Sequence, residues 1–378
     1  MSRGGARHLY VHLPFCAHRC GYCDFVTVTG RRGGHGAYVD ALLAELELER
    51  ASLAPELETI FLGGGTPTFT EPAALERLLG TLPDAAEVTV EANPETVTPE
   101  LAALLARNGV NRVSIGAQSF DPALLRVLER RAGPAAVRRA FHTLRDAGFD
   151  NISLDLIYGI PGQEPAALRR DLEEALALEP EHLSCYELEA KPGTRFTHTF
   201  GDELARQSEA MEGYFADVVD TLTGAGYRWY ETANFCRRPE DAGGRDLRSR
   251  HNLAYWLGRD YLGLGIGAVS TLGGLRRRNA PRLAPYIAAL AGGAGGGGAT
   301  APPRELEELT PATKRLERVM LGLRLDEPLP LAGLEQALDP SGVARVVRLG
   351  LAERDGDSLV LTPRGRLVGD GVTAELVA

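Results

Sequence analysis

Short strand-like runs alternate with amphipathic helical stretches through residues 9–188, and this alternation limits the fold more than any other feature of the chain. The strand-like runs are Leu9–Leu13, Thr59–Leu62, Val88–Glu91, Arg112–Ile115, Ile152–Leu156 and Leu183–Leu188. Between them, helical patterns cover Ala37–Arg50, Ala73–Leu79, Pro99–Arg107, Pro122–Arg130, Ala135–Ala147 and Pro165–Leu178. Several open with proline in the first turn, where its missing amide costs nothing. Strands separated by helices run parallel and are joined by right-handed crossovers. A closed eight-fold barrel needs about 250 residues, and the pattern here changes character after Glu189. The expected fold class is therefore α/β, with an incomplete (β/α)6 barrel over residues 1–190.

Residues 191–290 read as a less regular extension, with one long helix pattern around Asp202–Thr223 and a strand-like Tyr227–Tyr230. Residues 291–303, rich in glycine and ending in Pro302-Pro303, have the composition of a flexible linker. Residues 304–378 read as helices followed by a β-hairpin, Leu351–Arg354 and Ser358–Leu361, around Asp355-Gly356-Asp357. A small winged-helix-like domain fits that order. It lacks a basic recognition helix, so a packing or partner role is expected of it. The net charge of −10 likewise argues against a nucleic-acid partner. No apolar run reaches the roughly 18 residues of a membrane span, and no signal-peptide core opens the chain. A cytoplasmic protein that is not integral to a membrane is expected.

Chemistry concentrates on the loop after the first strand, Cys16-Ala-His-Arg-Cys20-Gly-Tyr-Cys23. Its C-x3-C-x2-C spacing supplies three thiolates, one fewer than the four that normally hold an iron–sulfur cube. Three leave one iron open, and an open position separates a reactive metal site from a structural one. One alternative is a structural zinc of Cys3His type, with His12, His18 or a distant cysteine as fourth ligand. Zinc knuckles usually carry two C-x2-C pairs, and no second pair exists here. Accidental clustering is the weaker alternative, with five cysteines in 378 residues. Thiolate ligands also need a reducing compartment.

Gly63-Gly64-Gly65-Thr66-Pro67-Thr68 follows the second strand directly. Its bare amides and close backbone approach suit a carboxylate or phosphate, although a tight turn would look the same. Glu91, Gln118 and Asp155 stand at the ends of later strands, where barrel enzymes place their sites, and Arg130 closes the helix after the fourth. One carboxylate at a strand end is ordinarily a cap. Several on one barrel face make a polar pocket for a zwitterionic, ribose-bearing ligand.

Together these stretches resemble the radical S-adenosylmethionine (SAM) superfamily and, within it, the oxygen-independent coproporphyrinogen III oxidase family, over essentially the whole chain. The resemblance implies a radical SAM barrel with a [4Fe-4S] cluster on Cys16, Cys20 and Cys23. It also implies SAM on the open iron, at Tyr10, Phe25, Gly64, Gly65, Thr66, Glu91, Gln118, Arg130 and Asp155. One departure stands out: the family's G-R-x-H after the fourth strand reads Glu129-Arg130-Arg131-Ala132. The glycine and histidine are missing while the arginine remains.

Dehydrogenases of this family follow the third cysteine with x-Cys and carry an extra N-terminal arm. Here Phe25 holds that position and Tyr10 is preceded by nine residues. Arg250-His251-Asn252-Leu-Ala-Tyr255-Trp256, after an apparent insertion at Glu240–Arg248, matches the H-N-x-x-Y-W motif of the family's heme-chaperone branch. That match implies heme as a ligand, with His251 as axial ligand and Tyr255 and Trp256 packing on the porphyrin. It also implies heme-acceptor proteins as partners, respiratory ones at the membrane among them, and is compatible with an oligomer. By its residues alone, a His–aromatic cluster is more often core packing. Conversion of coproporphyrinogen III to protoporphyrinogen IX, or radical chemistry on another substrate, stays open. Cys185 and Cys236 read as buried structural thiols, with heme ligation by either the rarer alternative.

Overall fold

A computed structural model describes residues 5–30, 33–189, 191, 194–207, 210–292 and 298–377. Six strands form the middle of the main sheet: β1 (His8–Leu13), β2 (Leu57–Gly64), β3 (Ala85–Ala92), β4 (Arg112–Gln118), β5 (Ile152–Tyr158) and β6 (His182–Glu187). All six are parallel, each beside the next in chain order. The crossovers carry α1 (His35–Glu49), α2 (Pro72–Leu79), α3 (Pro99–Arg107), α4 (Pro122–Val127), α5 (Pro134–Asp146) and α6 (Pro165–Ala177).

Side chains alternate across each strand, and here the two faces differ sharply. Leu9, Val11, Leu13, Ile60, Leu62, Val90, Val113, Ile115, Leu154, Leu156 and Leu183 are at most 1% exposed. They share one core with Leu42, Leu75, Leu105, Phe141 and Leu172 of the covering helices. Burying each such side chain contributes roughly 1.5–3 kcal/mol. The opposite, concave face is polar. Its registers run Tyr10, Phe61, Thr89 and Arg112 across β1 to β4, then Glu91 beside Ser114, and Gly116 beside Asp155 beside Ser184.

The sheet is wider than six strands. β7 (Tyr227–Glu231) and β8 (Asn234–Arg237) form an antiparallel hairpin that docks on β6, and β9 (Leu262–Leu264) adds in parallel beside β1. The order is β9-β1-β2-β3-β4-β5-β6-β8-β7, an open sheet and not a closed barrel. Residues after 190 therefore complete the sheet. With four and three residues, β8 and β9 are too short for periodicity to mark them.

Three more boundaries differ from the sequence reading. The long helix around Asp202–Thr223 is two helices, α7 (Arg195–Gln207) and α8 (Met211–Gly224), and residues 208–209 lie outside the described residues. Helix α4 stops at Val127 and not Arg130, because Glu129 takes a left-handed φ of 57°, a common helix-ending conformation. Past the glycine-rich stretch, of which residues 293–297 are not described, the chain returns to the extension. There, after α9 (Arg250–Trp256), β10 (Val269–Leu272) and β11 (Leu275–Asn279) pair, and α10 (Leu283–Leu290) follows. β12 (Arg304–Glu308) pairs with β11.

The C-terminal segment then builds its own core from α11 (Pro311–Gly322), β13 (Leu329–Pro330), α12 (Pro340–Arg348), β14 (Ala352–Asp355) and β15 (Ser358–Leu361). Helices α13 (Pro363–Leu367) and α14 (Gly369–Leu376) close it. β14 and β15 are the wing hairpin, with β13 on its other side.

Arginines join this segment to the sheet edge. Arg366 lies 3.7 Å over the Trp229 ring and donates to the Trp229 carbonyl. Arg228 grips Asp326 through two hydrogen bonds of 2.7 and 2.9 Å. Glu231, fully buried on β7, accepts from Arg324 and from the Asn234 amide. Glu231→Ala removes the partner of both, one of them a charge only a third exposed. The expected loss, read by urea unfolding, is about 2–3 kcal/mol.

Candidate functional site

The C-terminal ends of β1 to β6 open into a cavity of about 390 Å³ that takes in the cysteine loop. It continues inward as a chamber of about 220 Å³ between Tyr10, Phe61, Arg112 and Asn252. Phe25, Gly64, Glu91, Ser114, Asp155 and Tyr186 wall both. Cys16, Cys20, Cys23, Gly65, Thr66, Gln118 and Arg130 line the outer cavity, and Tyr10 lines the inner one. The residues expected to meet the cluster and SAM thus come together.

The base of the cysteine loop is pinned where Phe15–Cys16 pairs with Val28–Thr29. All five cysteines are free thiols, and Cys185 and Cys236 are buried in strands β6 and β8. Cys16 Sγ lies 3.5 Å from the Thr66 hydroxyl, and Arg130 Nη1 lies 3.9 Å from Cys20 Sγ. Burial pushes the Cys16 thiol up to about 11 and also raises Cys23. Such thiols become ligands only when a metal's charge drives off the proton. Among the described residues, no three His, Cys, Asp or Glu side chains converge on one metal ion.

Gly64 and Gly65 are required sterically. Gly64 has φ 104°, and a Cβ there would lie 2.3 Å from the His12 ring; at Gly65 it would lie 2.5 Å from the Pro14 carbonyl carbon. The Gly64 amide donates to Glu91 at 3.0 Å. Burial, then the Asp155 charge, pushes the Glu91 carboxyl up to about 7. Asp155 is raised by burial, while Ser114 donates to both its oxygens at 3.0 and 2.9 Å. Gln118 has φ 66° beyond a bulge in β4, the kind of local strain that collects at functional sites.

Arg130 donates to Asn93 Oδ1 at 2.9 Å and to the Gly116 carbonyl at 2.8 Å. The altered neighbour beside it has a clear consequence. Glu129 holds φ 57° where glycine would rest without strain, its carboxylate pairs with Arg195, and its carbonyl accepts from His18 Nε2 at 2.7 Å.

The H-N-x-x-Y-W motif forms helix α9, capped by the Ser249 side chain. His251 is 1% exposed. Nδ1 lies 2.7 Å from the Thr59 hydroxyl, Nε2 lies 2.9 Å from the Tyr255 hydroxyl, and the ring stacks on Phe61. Burial pushes it down to about 3, so the ring is neutral. Both nitrogens have protein partners here, so ligation of an iron would require one of these contacts to open. Tyr255 packs edge-on against His251 and Tyr261, and Trp256 lies under Arg324 at 4.5 Å. None of the three lines the cavity or the chamber.

Several lining residues escaped the sequence reading: Tyr22, Asn93, Arg112, Ser114, Ser184, Tyr186 and Asn252. A signal existed for those in strands. Arg-Val-Ser-Ile-Gly and His-Leu-Ser-Cys-Tyr place polar residues at every second position of buried parallel strands, which are ordinarily apolar on both faces.

A polar-faced parallel sheet with three loop thiols at its C-terminal edge defines a radical SAM protein, and the Radical SAM superfamily matches residues 10–175. The HemN C-terminal domain matches residues 309–368. "Heme chaperone HemW" of Mycobacterium tuberculosis (strain ATCC 25618 / H37Rv) is 38% identical over 382 residues, covering 98% of this chain and 94% of that one. The protein of the same name from Bacillus subtilis (strain 168) is 33% identical, covering 96% and 97%. The chain belongs to the HemW family. Coproporphyrinogen III oxidase (HemN) from Escherichia coli shares the fold, with a TM-score of 0.78 at 24% identity over 99% of this chain and 91% of that one.

The raised Glu91 pKa makes stability depend on pH. Its neutral form is favoured in the folded state, so the cost of ionising it grows as pH rises from its ordinary 4.5 through about 7. Glu91→Gln is therefore expected to stabilise the metal-free protein by about 3 kcal/mol at pH 8 and under about 1 kcal/mol at pH 5. Urea unfolding at the two pH values checks this.

Proposed function

We propose that this chain binds heme and passes it to acceptor proteins, with a [4Fe-4S] cluster and SAM held in the outer cavity. The observation that carries the reading is full-length similarity to heme chaperones. It is supported by the expected cluster and SAM residues, which line two cavities with six residues in common. A cluster there would supply an open iron for the amino and carboxylate groups of SAM, together with an electron source. Cys16, Cys20 and Cys23 would hold it, and Arg130 would sit beside the Cys20 sulfur. The Gly64–Thr66 backbone leaves room for the methionine part of SAM, and Glu91 and Asp155 offer acceptors to its ammonium and ribose. No helix among the described residues is long and apolar enough to cross a membrane. Thiolate ligands need a reducing compartment, which supports a cytoplasmic protein.

In this reading His251 is a positioning residue. It joins α9 to β2 through Thr59, whose hydroxyl also lies 3.0 Å from His8 Nδ1. Anaerobic reconstitution is expected to give about four irons and four sulfides per chain. Alanine at Cys16, Cys20 or Cys23 should abolish the cluster, and alanine at Cys185 or Cys236 should leave it. Stoichiometric zinc without iron would sink the cluster.

Heme titration should develop a saturable Soret band, and coproporphyrinogen III given SAM and a reductant should yield no protoporphyrinogen. His251→Ala should lower thermal stability and weaken heme binding while keeping the ligation spectrum. Loss of that spectrum at unchanged stability would restore His251 as ligand. Turnover without saturable heme binding would make the chain an oxidase.

A further inference from the structure

Arg112 is the largest fully buried side chain among the described residues, 2% exposed on the concave face of β4, and it lines the inner chamber. Its Nε is buried without a hydrogen-bond partner among the described residues. Arginine keeps its charge in proteins, and Glu87, Glu91 and Asp155 all feel that charge, which lowers the pKa of each against the effect of burial.

Nearby carboxylates are already engaged elsewhere. Glu87 accepts from the Arg250 and His251 amides at 3.3 Å each, Glu91 from the Gly64 amide, and Asp155 from Ser114. Asn252 lines the same chamber. Tyr10 and Phe61, stacked with centroids 6.2 Å apart, form an aromatic wall. The chamber thus combines a planar cation, an amide side chain and an aromatic side, and it shares six lining residues with the outer cavity. A short aliphatic arm ending in a carboxylate has that shape, because a carboxylate accepts two parallel hydrogen bonds from a guanidinium. The raised Glu91 carboxyl lessens the opposing charge along the path.

We infer that the inner chamber is a carboxylate-arm site, in which Arg112 and Asn252 receive a propionate side chain of the tetrapyrrole. This rests on the heme reading above. It makes the propionate, and not the iron, the group that enters the protein most deeply.

The test compares heme with heme dimethyl ester, whose propionates cannot carry charge. Wild type is expected to bind heme about ten- to a hundred-fold more tightly than the ester, the effect of losing a charge-assisted hydrogen bond. Arg112→Met should bind the two alike, and Arg112→Lys should recover part of the preference. If Arg112→Met does not fold, Asn252→Leu, which narrows the same chamber, should reduce the preference. An unchanged preference in the folded variants, or none in wild type, overturns the site.

A second arm separates this site from the heme reading. Sodium propionate, followed by saturation-transfer NMR, should give a saturable signal in wild type that Arg112→Met or Asn252→Leu loses. Failure of heme to bind while propionate still binds through Arg112 would refute the chaperone reading and keep the site. Equal propionate signals in wild type and variant, or no signal in wild type, would refute the site.

Discussion

Everything functional in this molecule depends on one sheet having two unlike faces. Parallel sheets ordinarily bury both sides in apolar contacts. Here the helices seal one side so completely that Leu9, Val113 and Leu154 are at 0% exposure. The other side is thereby free to hold Tyr10, Glu91, Arg112, Ser114 and Asp155 in neighbouring registers. A strand slipped by one residue would exchange the two rows and lose the core and the cavity together. The cavity is therefore held as firmly as the fold.

The six central strands were legible because each is a β-branched or apolar run of ordinary length flanked by helix signals, as at Arg112–Ile115 and Ile152–Leu156. The cysteine loop was legible because three thiols at that spacing have few other uses. The hairpin of β7 and β8 and the added β9 were not, since their place depends on pairing across the chain, as when Leu9 meets Leu262. Arg112 stood inside a recognised strand. Nothing local shows that its Nε lacks a hydrogen-bond partner, because that follows from where Glu87, Glu91 and Asp155 spend their hydrogen bonds. His251 differs from Arg112: a motif match supplied a role, and three-dimensional neighbours give both ring nitrogens protein partners that the sequence does not show.

Helix α9 stands between two parts of the protein. Its first amides bind Glu87, Asn252 faces the chamber, and Trp256 packs under Arg324 of the C-terminal segment. Arg324 in turn holds Glu231 at the sheet edge. A seven-residue helix cannot shift at one end and stay fixed at the other. The helix thus contacts both the chamber wall and the C-terminal segment.

The replacement of glycine by Glu129 extends this to the entrance. A glycine there would hold its conformation by itself, whereas Glu129 adds an ion pair with Arg195, which also donates to the Arg19 carbonyl on the cysteine loop at 2.9 Å. One arginine on α7 therefore clips the loop to the turn after α4. Both partners are about half exposed or more, and at physiological ionic strength exposed charges are screened over roughly 8 Å. The clasp on the cysteine loop is thus tuned by dissolved salt, tightening in dilute buffer and loosening in concentrated buffer, while the apolar rows of the sheet feel far less of such a change.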